Sequence, residues 1–530
     1  MHKHQRYLFL TCLYLGIELV LLFSSSHIWA CSASKSNLTP CDVNEEVLLP
    51  APANVTDTND TPLVKHFVPA NLHDFVNANL NTMEFKRSKV LLDLLQKWES
   101  KDNPRISIAH FGDSHIQGGY AVESARHRLQ QLRGSAGRGM VFPYAIAKTY
   151  SQNDFKSSFQ GEWSTANSIQ INPRLPLGIS GFVARTQQTK TEFQLNFANP
   201  FDPGVKNIRL MFRVSHPNYE ITVRSGSLSQ HKNLQEAFTK GEAIVEFEFS
   251  ELAQDVHFEI SSLSEDLGTF DLTGVSIENI GGGLIYHNLG VGGSTFGSLL
   301  AQAYFDEEIT FISPDVVILD WGTNDIIYKN TVPDTMKEIV TKTVARVRAA
   351  SPQAVIVLTS LQDMNFRGHN ITVTHKFSQL MRKWAAQNDC LFYDWYRVSG
   401  GADSMNWWYS YGLAGKDQIH LTSLGYRIKG ELMAQALVNS LQGLKSTSLI
   451  NHELWITDPA NNHPQSVVSW LKFAEPYRRR IDPIIAKAKL RHGNLKNHMQ
   501  LASRKKRSKV ASTKSSAIRA GLGRTSLKKK

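Results

Sequence analysis

The stretch ISIAHFGDSHIQGGY, residues 106–120, decides how the rest of the chain is read. Ile106 to Phe111 is a short apolar, partly β-branched run, the pattern of a buried strand. Gly112-Asp113-Ser114-His115 breaks it, ahead of a helix expected from about Val122. Open α/β sheets hold their ligands at the carboxyl ends of strands. A serine on a glycine-assisted turn at such an end is either a nucleophile or an ordinary helix cap, and the tetrapeptide alone does not separate the two.

Working outward, Val90, Leu91, Leu94, Leu95 and Trp98 recur at three and four residues, so Phe85 to Trp98 reads as an amphipathic helix. On the other side a helix is expected from Val122 to about Leu132, followed by the glycine-rich loop GSAGRGMVFPYA lining the same face as Ser114. From about Tyr150 to Gly281 no helix is expected. The strand-like runs there are Glu192–Ala198, Asn207–Ser215, Tyr219–Arg224, Ala243–Phe249, Val256–Ser261 and Phe270–Asn279. AIVEFEFS and VHFEISS alternate apolar and polar residues, as in a sheet with one face packed and the other wet. Six short strands predict a β-sandwich or jelly roll. Helix and strand alternate again from Gly283, with strands in LIYHNLG, PDVVILDWG, AVIVLTS and CLFYDWY. Helices are expected over Thr295–Phe305, Asp334–Ala349, His375–Gln387 and Leu424–Leu441. This alternation predicts a doubly wound parallel sheet. The expected organisation is an α/β domain in two parts, 85–150 and 282–445, interrupted by an all-β sandwich over 151–281. Gly281-Gly282-Gly283 is the hinge on return; no Lys-Ser/Thr follows to make it a phosphate loop.

A chain of 530 residues, 42% hydrophobic and 20% charged, is globular and long enough for about three units. Its net charge of +11 is unevenly placed. Arg478 to Lys530 holds 18 Lys or Arg against one acid, so residues 1–477 sum to −6. The body is mildly acidic and the basicity belongs to a low-complexity tail, here taken as 446–530. At the other end, His2, Lys3, His4 and Arg6 precede an apolar run from Tyr7 to Phe23 and then Ala30, the layout of a secretory signal over 1–30. Glu18 within that run disfavours a permanent span. Cleaved export, a lipid anchor on Cys31 and an uncleaved anchor helix are the three fates considered. Residues 31–84 read as a linker. Cys31 and Cys41 can pair if Cys31 carries no lipid, Cys390 stands alone, and no spacing suggests a metal site. An exported chain excludes a nuclear or nucleic-acid reading of Arg504–Arg507. The tail reads either as a solvated extension or as an attachment to anionic lipid or wall polymers.

Four blocks sit at strand ends or before the last helix. They are Gly112-Asp113-Ser114, Asn288-Leu289-Gly290-Val291-Gly292-Gly293, Gly322-Thr323-Asn324-Asp325 and Asp417-Gln418-Ile419-His420. Acyl transfer needs a nucleophile, a base for its proton, a group orienting that base, and donors for the oxyanion. Ser114, His420 and Asp417 fit the first three roles. The N–H groups of Ser114 and Gly293 and the Asn324 amide fit the fourth. An Asp-x-x-His pair is by itself usually a polar loop; the four blocks together, in this order, are far more specific.

Those blocks resemble the SGNH (GDSL-type) hydrolases. The resemblance implies a flavodoxin-like sheet, Ser114 as nucleophile, Gly293 and Asn324 as oxyanion donors, Asp417 and His420 as acid and base, and no metal or organic cofactor. His115 stands where many members have leucine. Together with the β-rich insertion and GGADSMNWWYSYGLAGKDQIHLTSLGYRIKG, it makes residues 85–445 similar to periplasmic peptidoglycan O-acetylesterases, whose inserted domain resembles a carbohydrate-binding module. The resemblance thus implies a periplasmic or envelope-associated esterase acting on O-acetyl groups of N-acetylmuramic acid. Its rivals are an acetylesterase or acetyltransferase for another polysaccharide, and a wall-binding protein without activity. His115, Trp407 and Trp408 are candidate substrate contacts, the alternatives being that His115 holds the turn and that the tryptophans pack in the core. Trp321 is expected in the core, and Asp113 and Asp325 are expected to brace their loops.

Overall fold

The structure, a computed structural model, describes residues 76–264 and 268–446, with side chains as far as Leu444. The export segment, Cys31, Cys41 and the basic tail beyond residue 446 lie outside the described residues.

The apolar runs of the α/β part form one six-stranded sheet. Its spatial order is Met83–Glu84, Leu391–Tyr393, Val355–Thr359, Val316–Asp320, Arg105–Gly112 and Gly283–Gly290. Five strands are parallel; only the short Met83–Glu84 strand, within the expected linker, runs antiparallel at the edge. Ranked along the chain, the parallel strands lie in the order 2-1-3-4-5, the flavodoxin-like arrangement. The order reverses between Arg105–Gly112 and Val316–Asp320. A ligand crevice is expected to open there, beyond the strands' carboxyl ends.

Alternation along each strand sorts its side chains into two cores. Ile106, Ile108, Val316, Ile318, Val355 and Val357 face the helices Lys89–Glu99, Tyr120–Arg133 and Ser423–Ser446. Ala109, Phe111, Val317, Leu319, Ile356 and Leu358 face Phe305–Ile312, Met336–Ala350 and Val373–Gln387. Each large apolar side chain so buried is worth roughly 1.5–3 kcal/mol. Apolar burial, not cross-linking, holds this region: Cys390, the one cysteine among the described residues, is a buried free thiol.

Residues 137–278 build two antiparallel sheets. One runs Leu228–Asn233, Tyr219–Ser225, Asp255–Ser262, Lys190–Phe197, Phe155–Gln160; the other runs Ile244–Glu248, Asn207–Val214, Phe270–Glu278, Phe182–Thr186, Ser164–Asn167. Their inward residues share one core, with Phe193, Ile221, Val223 and Phe258 from the first and Phe182, Leu210, Phe247 and Leu272 from the second. All six expected strands are present, with ends shifted by no more than two residues. Three expectations need correcting. A short helix, Gln235–Lys240, lies in the stretch where none was expected. The glycine-rich segment is a strand, Gly137–Val141, paired with Phe270–Glu278, and not a loop lining the site. Gly139 has φ +86°, and a Cβ there would lie 2.7 Å from the Tyr286 carbonyl oxygen, so the glycines allow one backbone to press on another. The helix expected over Thr295–Phe305 is instead a 3-10 turn, Phe296–Ala301, followed by the helix Phe305–Ile312.

The β layers are fastened to the α/β sheet through buried charge. Glu308, on the Phe305–Ile312 helix, is fully buried. It accepts from Ile179 N (2.7 Å) and Thr273 Oγ1 (2.7 Å) and lies 3.4 Å from Arg213.

Candidate active site

Ser114 is the first residue of the one-turn helix Ser114–Gln117, directly after the first parallel strand. Asp113 caps that turn by accepting from His115 N at 2.9 Å. Three hundred residues later, a turn between Ala414 and Leu421, which pair in an antiparallel bridge, carries Asp417 and His420. The two segments meet. Ser114 Oγ lies 2.8 Å from His420 Nε2, and His420 Nδ1 lies 2.7 Å from Asp417 Oδ2. Asp417 Oδ1 also accepts from the N–H groups of Ile419 and His420, both at 3.1 Å. The carboxylate is thereby fixed against its own turn while it holds the ring.

The second and third blocks close on the same point through a residue that the sequence did not single out. Ser294 Oγ donates to Gly112 O (3.1 Å) and accepts from Trp321 Nε1 (2.7 Å), while its carbonyl accepts from Asn324 Nδ2 (2.9 Å). Three strand ends are thus laced together beside Ser114. One of the two amide hydrogens of Asn324 is committed to Ser294, which leaves the other for a ligand. Gly293 sits in the left-handed region at φ +85°, where a side chain is strained. Among the described residues the N–H groups of Ser114 and Gly293 donate to no protein group. Gln117 adds a second tie: its Oε1 accepts from Gly292 N at 2.5 Å.

A model of the GDSL-like lipase/acylhydrolase family matches residues 274–428. The later portion of the α/β part, residues 274–428, is thus a GDSL-like, SGNH-type hydrolase domain. Its class is that of the carboxylic ester hydrolases. Among solved structures, a peptidoglycan O-acetylesterase is similar at 21% identity over 67% of this chain and 97% of that chain, with a TM-score of 0.56, a likeness of fold. A family two carbohydrate esterase from Cellvibrio japonicus (13% identity, 55% of this chain, 99% of that chain) has a TM-score of 0.23. An acetyl xylan esterase from Geobacillus stearothermophilus (21%, 29% and 73%) has one of 0.24. No curated protein matches the chain.

The electrostatics of the hydrolase domain follow from burial and pairing. Burial alone would lower the pKa of His420, but the hydrogen bond and charge of Asp417, with a contribution from Asp113, raise it above 6.5. Burial works against ionisation of Asp417, and His420 with two backbone donors outweighs it, so its pKa is lowered. Asp113 and Asp325 flank the site at its first and third loops. Burial, reinforced by charge from Asp320 on the former and from Asp113 on the latter, pushes them up to about 6 and about 7.

Two of the candidate contacts, each with a structural alternative, lie buried. Trp408 is 2% exposed, donates to Ser399 O at 2.8 Å and meets Trp395 edge-on, so it belongs to the core. His115 is 6% exposed and covered, not open to substrate. Its ring stacks on His420 at 5.1 Å between centroids, and its Nδ1 pairs with Tyr426 Oη at 2.9 Å. Burial, with the positive charge of His420 behind it, drives the pKa of His115 well below 6.5, so it is a neutral platform for the base. Trp407 is half-buried and stacks on Tyr411 against the core. Trp321 is buried as expected, with its indole N–H serving Ser294. Nothing in the sequence distinguished Ser294, Gln117 or Tyr426, because isolated polar residues carry no periodicity.

Proposed function

We propose that this hydrolase removes O-acetyl groups from the glycan of peptidoglycan, with Ser114, His420 and Asp417 as its catalytic residues. The observation that carries the reading is the unbroken relay from Ser114 Oγ through His420 to Asp417, at 2.8 and 2.7 Å. An isolated hydroxyl is a weak nucleophile at neutral pH, and a hydrogen-bonded imidazole remedies this. Ser114 Oγ attacks the acetyl carbonyl carbon while its proton passes to His420 Nε2. The negative charge that develops on the carbonyl oxygen is met by the N–H groups of Ser114 and Gly293 and the second Asn324 amide hydrogen. Losing one such donor typically costs about 3 kcal/mol of transition-state stabilisation. As the intermediate collapses, the sugar oxygen leaves with the proton from His420, and an acetyl-Ser114 ester remains. Water then gives a proton to His420 and attacks that ester; as the bond to Ser114 Oγ breaks, His420 returns the proton to Oγ, and the freed acetic acid departs and ionises to acetate.

Likeness of fold to a peptidoglycan O-acetylesterase supports the choice of the wall polymer, specifically the ester on the 6-hydroxyl of N-acetylmuramic acid. In this reading the chain is exported by residues 1–30, the two antiparallel sheets are an inserted sandwich that engages glycan, and the basic tail meets an anionic envelope surface. Acetate release from O-acetylated peptidoglycan, compared with acetylated xylan, tests it. Release from the former that disappears in Ser114→Ala is expected; faster release from xylan overturns the substrate assignment.

A further inference from the structure

We propose that Tyr150, from the segment leading into the β layers, contacts the sugar ring that bears the ester and sets the enzyme's preference for glycan over small esters. Tyr150 is 48% exposed, yet its backbone is fastened to the turn that begins with Ser114. Gln117 Nε2 donates to Tyr150 O at 2.8 Å and Asn153 N donates to Gly118 O at 3.0 Å. The Asn153 side chain donates to Glu123 at 2.8 Å. The other end of the Gln117 amide holds Gly292 N, so one side chain links Ser114's turn, the oxyanion loop and Tyr150.

The phenol reaches over that loop. A Cβ placed on Gly292 would lie only 2.7 Å from Tyr150 Oη, one residue before Gly293. Among the described residues this hydroxyl makes no hydrogen bond. A phenol is protonated at neutral pH, so the hydroxyl keeps a hydrogen to donate. A single exposed aromatic needs no explanation on a protein surface. A half-exposed phenol anchored at its backbone, with an unpartnered hydroxyl beside the oxyanion loop, has the makings of a recognition element. Its flat face suits the C–H surface of a pyranose, and its hydroxyl suits a sugar hydroxyl or amide oxygen. A small acetate ester offers neither group.

This inference rests on the glycan esterase reading, and the test keeps the two apart. The full chain, Tyr150→Ala and Tyr150→Phe are assayed for acetate release from O-acetylated peptidoglycan and for hydrolysis of a chromogenic acetate ester. We expect Tyr150→Ala to lower the ratio of kcat/KM on glycan to kcat/KM on the ester roughly tenfold, through KM, the scale of a lost stacking face plus one hydrogen bond. Tyr150→Phe, which keeps the ring and the fold, should lose only part of this. Equal losses on both substrates, or no loss on glycan, overturn the role of Tyr150 while the esterase reading stands. If the unaltered chain cleaves the ester but releases no acetate from glycan, the glycan reading fails and takes this role with it, while the esterase remains.

Discussion

In the proposed mechanism His420 works as a base only when neutral, and Asp417 holds its pKa above 6.5. Activity is therefore expected to rise with pH along an acid limb whose midpoint lies above 6.5. Asp417→Asn removes the charge that raises it and frees the ring to take the wrong tautomer. The limb should move to lower pH while kcat falls by roughly 10³–10⁴. A pH–rate profile of both proteins checks this. His115 acts on the same ring by stacking. His115→Leu should lower kcat about tenfold with little change in KM, and Tyr426→Phe, which removes only the hydrogen bond to His115, should do the same more weakly. Steady-state kinetics on a chromogenic ester are the measurement. His115 also marks stability. Its folded pKa lies well below 6.5, so the fold favours the neutral ring; this contribution is full above pH 6.5 and is lost as pH falls below it. Melting curves of the unaltered chain and His115→Leu should diverge with that sign. At this scale the sequence brought out three groups that the structure places in one hydrogen-bonded row, Ser114, His420 and Asp417, because acyl transfer restricts residue types and the blocks matched them. It hid the supports: Ser294, Gln117 and Tyr426 act through position, which a linear reading does not carry.

Beneath the site, strands and closing helix are locked by buried charge. Lys429, on the Ser423–Ser446 helix, donates to Asp320 Oδ2 at 2.8 Å; Thr359 donates to Oδ1 at 2.8 Å; and His110 Nε2 lies 3.5 Å from the same carboxylate. Burial disfavours the charged form of Asp320, but Lys429 and His110 outweigh it and hold its pKa far below the usual carboxylate range. Its stabilisation is present above the ordinary carboxylate pKa and vanishes as pH falls through the depressed one. Lys429→Met should leave Asp320 uncompensated at a cost of about 3–5 kcal/mol in denaturant unfolding, much of it recovered by adding Asp320→Asn. Elements with strong apolar alternation were legible almost to the residue, including Asn207–Val214 and Phe270–Glu278. Those missed lacked it. Leu228–Asn233 is an edge strand of mainly exposed polar residues, and Gly137–Val141 looks like a loop because close backbone contact demands glycine.

For the whole molecule, the β layers do not behave as a detachable bead. Glu308 reaches from the α/β part into them, Arg213 pairs with Glu307 at 2.7 Å, and Arg105 pairs with Glu278 at 2.5 Å across the junction. Calorimetry is therefore expected to show one cooperative transition for residues 76–446; two well-separated transitions would contradict it. The same junction explains why the 2-1-3-4-5 order was foreseeable only as a fold class. Strand runs predict membership of a sheet, whereas the neighbour of each strand is decided by helices and inserted layers far away in sequence.

The bond between Ser114 and His420 spans 306 positions, and the strand ahead of Ser114 pairs with one that begins at Gly283. Closing loops of that size is slow and entropically costly, and contacts of such long range form late in folding. On the proposed mechanism, a nascent or prematurely terminated polypeptide lacking residue 420 therefore carries Ser114 without its base, and hydrolytic competence waits for the Ala414–Leu421 turn to reach the first strand end.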